Sequence, residues 1–147
     1  MKRIENQPIV IERIFNVPAL SVWNAITRKD EMKIWYFDLA DFKQEPGFQF
    51  QFWGGPTPER QYLHLCEIIE AIPKKKLSHN WRYDGIPGNT TVTFELTEKD
   101  GKTLLRLSHQ GIETFPEDNE DLIIGNFIAG WNCIINESLR NYLETPR

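Results

Sequence analysis

The sequence predicts an α+β fold in which one antiparallel sheet curls around a long C-terminal helix. Three observations predict it. Between Gly47 and Gln110, apolar and polar residues alternate with period two in successive runs divided by turn residues, the mark of a strand meander. From about Asn119 to Glu144 the period lengthens to that of a helix, with Ile124, Phe127, Ile128, Trp131, Ile135, Leu139 and Tyr142 in one broad sector. Ahead of the meander stand one strand and two short helices. A sheet of this kind needs an apolar layer on its inner face, and the long helix supplies it.

Each element has its own local reason. Pro8 to Phe15 reads as a largely buried strand, since Ile9, Val10, Ile11, Ile14 and Phe15 leave few polar positions. Pro18 opens a short helix with Val22, Trp23 and Ile26 on its apolar side, because a first helical position has no use for the missing N–H. Asp30 caps a second helix carrying Met32, Ile34 and Trp35, and a strand follows near Phe37 to Phe42. Phe48, Phe50 and Phe52 share one strand face, Gly54 to Pro58 form a loop, and Arg60 to Ile72 make a long strand stopped by Pro73. Leu77, His79, Trp81 and Tyr83 share a face of the next strand, and Val92, Phe94 and Leu96 a face of the one after it. Lys99-Asp100-Gly101-Lys102 is a tight hairpin turn into the last strand, on which Thr103, Leu105, Leu107 and His109 point the same way. The acidic group Glu117, Asp118, Glu120 and Asp121 complements the dipole at the start of the long helix.

Composition narrows the function classes. The 147 residues fit one domain, able to bury roughly 70% of the surface of its unfolded chain without help from disulfides or metals. Seventeen basic against 21 acidic residues give a net charge of -4, which argues against a nucleic-acid partner. No apolar run reaches membrane-spanning length and Met1 to Asn6 lead into no signal-peptide core, so a cytoplasmic location is the default expectation. Cys66 and Cys133 are 67 residues apart and read as two small buried hydrophobes. His64, His79 and His109 are scattered singly, without metal-site spacing, so neither metal nor cofactor is expected.

The order of these elements carries a resemblance. Val17-Pro18 with Val22-Trp23-Asn24-Ala25-Ile26-Thr27, Trp35, the Ile72-Pro73 corner, Leu77 and Trp81 resemble the signature of the SRPBCC superfamily, which includes START domains and birch-pollen-type allergens. Ser108-His109-Gln110-Gly111, Gly130-Trp131-Asn132, Leu139 and Tyr142-Leu143-Glu144 are similar to the ending of one branch, that of the activator of the ninety-kilodalton heat-shock chaperone's ATPase. The resemblance covers about residues 7 to 145. It implies a helix-grip fold with a cavity between sheet and helix, which in relatives holds an apolar or aromatic ligand.

Residues for such a cavity come from the faces that alternation turns inward. Tyr62, His79, Trp81, His109 and Trp131 join an apolar body to a polar handle, the mixture that orients a ligand. Trp35, Phe50, Phe52 and Phe127 add apolar wall. His79 and His109 are the two histidines assigned to the interior. Three readings follow in order of preference: a binding protein for an apolar, aromatic or lipid-like molecule; an interaction module of the chaperone-activator kind; and a cyclase or aromatase enzyme using His79 or His109.

Overall fold

The computed structural model describes residues 8–144. Strand β1 (Ile9–Phe15) is followed by helices α1 (Ala19–Thr27) and α2 (Lys29–Trp35) and then by β2 (Gln49–Thr57), β3 (Arg60–Ile72), β4 (Lys76–Tyr83), β5 (Thr90–Lys99) and β6 (Lys102–Gln110). The chain closes with α3 (Ile124–Cys133), a π-helical segment (Ile134–Leu139) and α4 (Arg140–Glu144), which run on as one C-terminal helix. The six strands form a single antiparallel sheet in the order β1-β6-β5-β4-β3-β2, so the first strand crosses over to pair with the last, Ile9 opposite His109 and Phe15 opposite Thr103. The sheet curls as a half-barrel around the C-terminal helix, the helix-grip arrangement.

The inner face follows the alternation. Leu77, His79, Trp81 and Tyr83 are all buried, as are Val92, Phe94 and Leu96, and Thr103, Leu105, Leu107 and His109 are wholly shielded from solvent. From the helix, Phe127, Trp131, Ile135 and Leu139 close the other side. These four are spaced by four residues, and four residues of α-helix turn 400°, so the stripe drifts about 40° at each step. The wider turn of the π segment takes up this drift and keeps the stripe on the sheet. Asp100 and Gly101, both at positive φ, make the tight β5–β6 turn.

Several expectations are corrected. β1 is buried on one face only: Val10 and Ile14 are exposed, because none of the described residues covers the outside of the sheet there. Residues 37–42 form no strand. The rings of Phe37 and Phe42 turn onto Phe52 and Phe50 instead, and the Asp41 carboxylate takes the Phe42 backbone N–H, a local bond that competes with a strand ladder. Pro18 is the N-cap of α1 rather than its first residue, and the Ala19 N–H donates to Glu98 Oε1 at 2.7 Å. Arg28, not Asp30, precedes α2. The long helix begins at Ile124, later than expected, because Asn119 caps a separate 3-10 turn over Glu120–Leu122. Cys133 is exposed, being two residues beyond Trp131 and so on the far side of the helix.

β2 continues through the expected loop to Thr57, with an irregular register between Gly54 and Thr57. The strands come so close here that a Cβ on Gly55 would lie 2.0 Å from the Arg60 carbonyl oxygen. Gly55→Ala is therefore expected to cost about 1 to 3 kcal/mol, the usual cost of overpacking, because backbone rather than a movable side chain must yield. Urea denaturation of the variant measures this, and an unchanged midpoint would contradict the close approach.

Candidate functional site

Two clefts flank the C-terminal helix. The larger, about 920 Å³, opens between β1 and α3 and is walled mainly by aliphatic side chains such as Ile9, Ile11, Ile124 and Ile128. Its amides are engaged: Arg13 Nη1 donates to Asn136 Oδ1, and Asn136 Nδ2 donates to Asn132 Oδ1. The second, about 620 Å³, lies between the β2–β3 hairpin and the helix, and its lining includes Phe37, Tyr62, His64, Tyr83 and Phe127. The second cleft has the composition of a small-molecule site, aromatic walls with a few convergent polar groups.

The polar groups of this cleft come from alternation on β3 and from the turn before α3. Tyr62 and His64 are two apart and face the same way. At the mouth, Arg60 Nε and Nη2 donate to the Asp121 carboxylate at 2.8 and 2.9 Å, and the Tyr62 hydroxyl donates to the same carboxylate at 2.6 Å. These donors, Tyr62 first, hold the Asp121 carboxyl below the usual carboxylate range. Asp121 thus ties the hairpin to the helix approach instead of serving the helix dipole as expected.

His64 stacks on Phe52 at 4.5 Å, meets Tyr83 edge-on at 4.6 Å and Trp81 at 4.9 Å. Burial lowers its pKa to about 4, against the pull of the Tyr62 and Phe52 carbonyls. Its Nδ1 lies 3.0 Å from the Tyr62 carbonyl, and since a carbonyl only accepts, that nitrogen carries the proton. Gly54 makes room here: a Cβ would stand 3.3 Å from the His64 ring and 3.4 Å from Phe37.

The expected site residues divide into four groups. Tyr62 and Phe127 line the cleft. Trp35, Phe50 and His79 surround a separate interior void of about 10 Å³, too small for an organic ligand as it stands. Trp35 Nε1 donates to the Ala25 carbonyl, and His79 Nδ1 faces the Asn80 carbonyl at 2.8 Å. Phe52 and Trp81 belong to the ring array behind the cleft, 5.7 Å apart. His109 and Trp131 pack directly on Trp81 and on each other, without the intervening space expected from the sequence.

A directed chain of hydrogen bonds runs through that packed region. Trp131 Nε1–H can only donate, so His109 Nδ1 accepts it, at 2.9 Å, and the His109 proton resides on Nε2. Nε2–H then donates to Thr90 Oγ1 at 2.7 Å, and the Thr90 hydroxyl donates to the Trp81 carbonyl at 2.7 Å. Burial, and secondarily the His79 charge, lower the His109 pKa to about 3. With both nitrogens engaged, His109 joins helix to sheet and has no lone pair for a substrate proton.

Sequence reasoning missed His64, Tyr83, Phe37 and the Arg60–Asp121 pair. The first was within reach, since the alternation that turns Tyr62 inward applies equally to His64. Alternation puts Tyr83 on the interior face but carries no sign of the cleft. Phe37 falls in an apolar run that reads as a strand and forms none, and the ion pair joins residues 61 positions apart without any local signal.

Residues 16–144 match the model of the family described as activator of Hsp90 ATPase homolog 1-like protein. The chain belongs to this family. Among solved structures it is similar to protein MLL2253 from Mesorhizobium loti, with a TM-score of 0.77 and 25% identity over 96% of this chain and 99% of that one. It is also similar to BH1534 from Bacillus halodurans, with a TM-score of 0.72 and 26% identity over 94% and 97% of the two chains. CalU16 from Micromonospora echinospora shares the fold at a TM-score of 0.72 and 23% identity, covering 94% of this chain and 76% of that one. The comparison with curated proteins finds no match. The family membership agrees with the SRPBCC resemblance read from the ordered motifs. Among the described residues, no helix is long and apolar enough to cross a membrane.

Proposed function

We propose that this member of the family binds an apolar, aromatic small molecule in the cleft between the β2–β3 hairpin and the C-terminal helix. The carrying observation is the roughly 620 Å³ space walled by Phe37, Tyr83 and Phe127, with His64 and the Tyr62–Asp121–Arg60 group as its polar features. Apolar walls supply the binding free energy and a few fixed polar groups set orientation. Catalysis by His109 loses its support because both ring nitrogens are occupied, and His79, with its pKa lowered to about 4 by burial, is a weak base near neutral pH.

Native mass spectrometry of freshly purified protein tests the reading by revealing a co-purified molecule. A fluorescent apolar probe such as ANS is expected to bind the native state and quench tryptophan emission. Phe127→Trp, which adds volume to the cleft wall, should weaken the probe at least severalfold while the protein stays folded. Absence of probe binding and of any co-purified molecule would move the chaperone-activator type of interaction module, which the family's description favours, ahead of the binding reading.

A further inference from the structure

The larger cleft, between β1 and α3, lies apart from the proposed binding site and along a free edge of the sheet. β1 ends the strand order, and among the described residues it pairs with β6 on one side and with no strand on the other. A free edge carries a row of unpaired backbone N–H and C=O groups. Residues from both faces of β1 wall the same cleft, Ile9 and Ile11 from the inner face, Val10 and Glu12 from the outer, so the cleft follows the edge itself. Across it stand Ile124 and Ile128, one turn apart on the helix, and Ile128 is 40% exposed. A strand edge beside an apolar helix stripe is a setting in which an extended peptide can join a sheet: its backbone completes the ladder and alternate side chains enter the groove.

The outer face specifies which side chain an added strand must carry. Residues of opposite charge alternate across the sheet in register: Lys76 stands opposite Glu95, Glu95 opposite Arg106, and Arg106 opposite Glu12. At the far end of this row, Lys76 Nζ meets the Glu70 carboxylate of β3 at 3.0 Å. Unlike charges directly opposite one another stabilise neighbouring strands, and like charges destabilise them. The row reaches the free edge at Glu12, so the next position outward calls for a cation. Val10 and Ile14, 41% and 62% exposed, flank Glu12 two residues away on the same face and call for apolar neighbours. A second copy pairing antiparallel through its own β1 fits poorly. Centred on Glu12, it sets two carboxylates opposite each other, and shifted by two residues it sets Glu12 against an aliphatic side chain.

We propose that the free edge of β1 binds an extended segment of another protein, which adds a seventh strand to the sheet with a Lys or Arg opposite Glu12 and apolar residues around it.

The probe is the fluorescein-labelled peptide KTVIKIVTK, titrated with the whole chain by fluorescence anisotropy. Its sequence reads the same in both directions, so the central Lys meets Glu12 in either strand orientation. Saturable binding is expected, with the peptide KTVIEIVTK about tenfold weaker. Glu12→Gln should abolish the preference for Lys and Glu12→Lys should reverse it, and because Glu12 is exposed both variants should keep the fold. Ile128→Asn should weaken both peptides severalfold. Of two versions of the Lys peptide N-methylated on alternate residues, one should bind and the other not, because a strand added at an edge is hydrogen-bonded from one side only. Saturating peptide should slow hydrogen exchange at alternate amides of β1. Equal affinity for the Lys and Glu peptides, a preference that survives Glu12→Gln, equal binding of both methylated versions, or β1 amides unaffected by the peptide overturns the inference and leaves the small-molecule reading intact. So does a failure of the Lys peptide to bind, and so does a dimer in sedimentation velocity that the peptide dissociates, which would assign the edge to a second copy.

Discussion

Lowering the pH from 7 to 5 is expected to remove about 6 kcal/mol of folding stability. All three histidines are buried, and burial lowers the pKa of His64 and His79 to about 4 and of His109 to about 3. In the unfolded chain each titrates near 6.5. Below that pH the unfolded state binds more protons than the folded state, so stability is full above pH 6.5 and declines as the pH drops towards the folded values. Each histidine contributes a slope of about 1.4 kcal/mol per pH unit, so the loss at pH 5 is about 2 kcal/mol per residue and about 6 kcal/mol for the three. Whole domains have about 5 to 15 kcal/mol. Asp121, whose pKa is lowered by Tyr62 and Arg60, adds stability that is lost only when the pH falls below the ordinary carboxylate range, so its contribution does not obscure this window. Urea unfolding at pH 7, 6 and 5 measures the slope directly. His64→Phe should reduce it by about a third. A stability constant from pH 7 to 5 would mean that the histidines are already charged or accessible in the folded protein.

The second large effect concerns Trp131. Its ring is 2% exposed and packs against Trp81, Phe94 and His109 with centroid separations of 5.5 to 6.2 Å. Trp131→Ala should cost about 3 to 5 kcal/mol, from lost transfer free energy and the cavity left behind. Trp131→Phe separates packing from hydrogen bonding, because it keeps a ring but leaves His109 Nδ1 unbonded, at a cost of about 1 to 3 kcal/mol. It should also raise the His109 pKa, since a nitrogen no longer receiving the indole N–H is freer to take a proton. NMR titration of the His109 ring checks the second effect and denaturant unfolding the first. An unchanged unfolding midpoint in Trp131→Ala would place the ring outside the core.

What was legible in advance depended on the range of the interaction. Period-two strands report their faces locally, which is why the alternation identified the inward side of β4, β5 and β6 without knowing their partners. The same logic placed Tyr62 inward and would have placed His64. It failed at residues 37–42, where the apolar pattern of a strand is present but the rings are drawn into a cluster and a carboxylate takes a backbone N–H. It also overestimated the separation of Trp81, His109 and Trp131, since alternation specifies direction but not how closely opposing faces approach.

The sequence by itself determined the α+β class, the order of elements, the long apolar helix stripe and the family, because these depend on periodicity, turn chemistry and ordered motifs along one chain. The tertiary structure alone decided which inward residues touch and which leave space. Cavities and networks depend on ångström-scale fits between segments distant in sequence. Arg60 meets Asp121, Trp131 fixes the tautomer of His109, and Phe37 stacks on Phe52 only after the sheet has curled and the helix has settled into it.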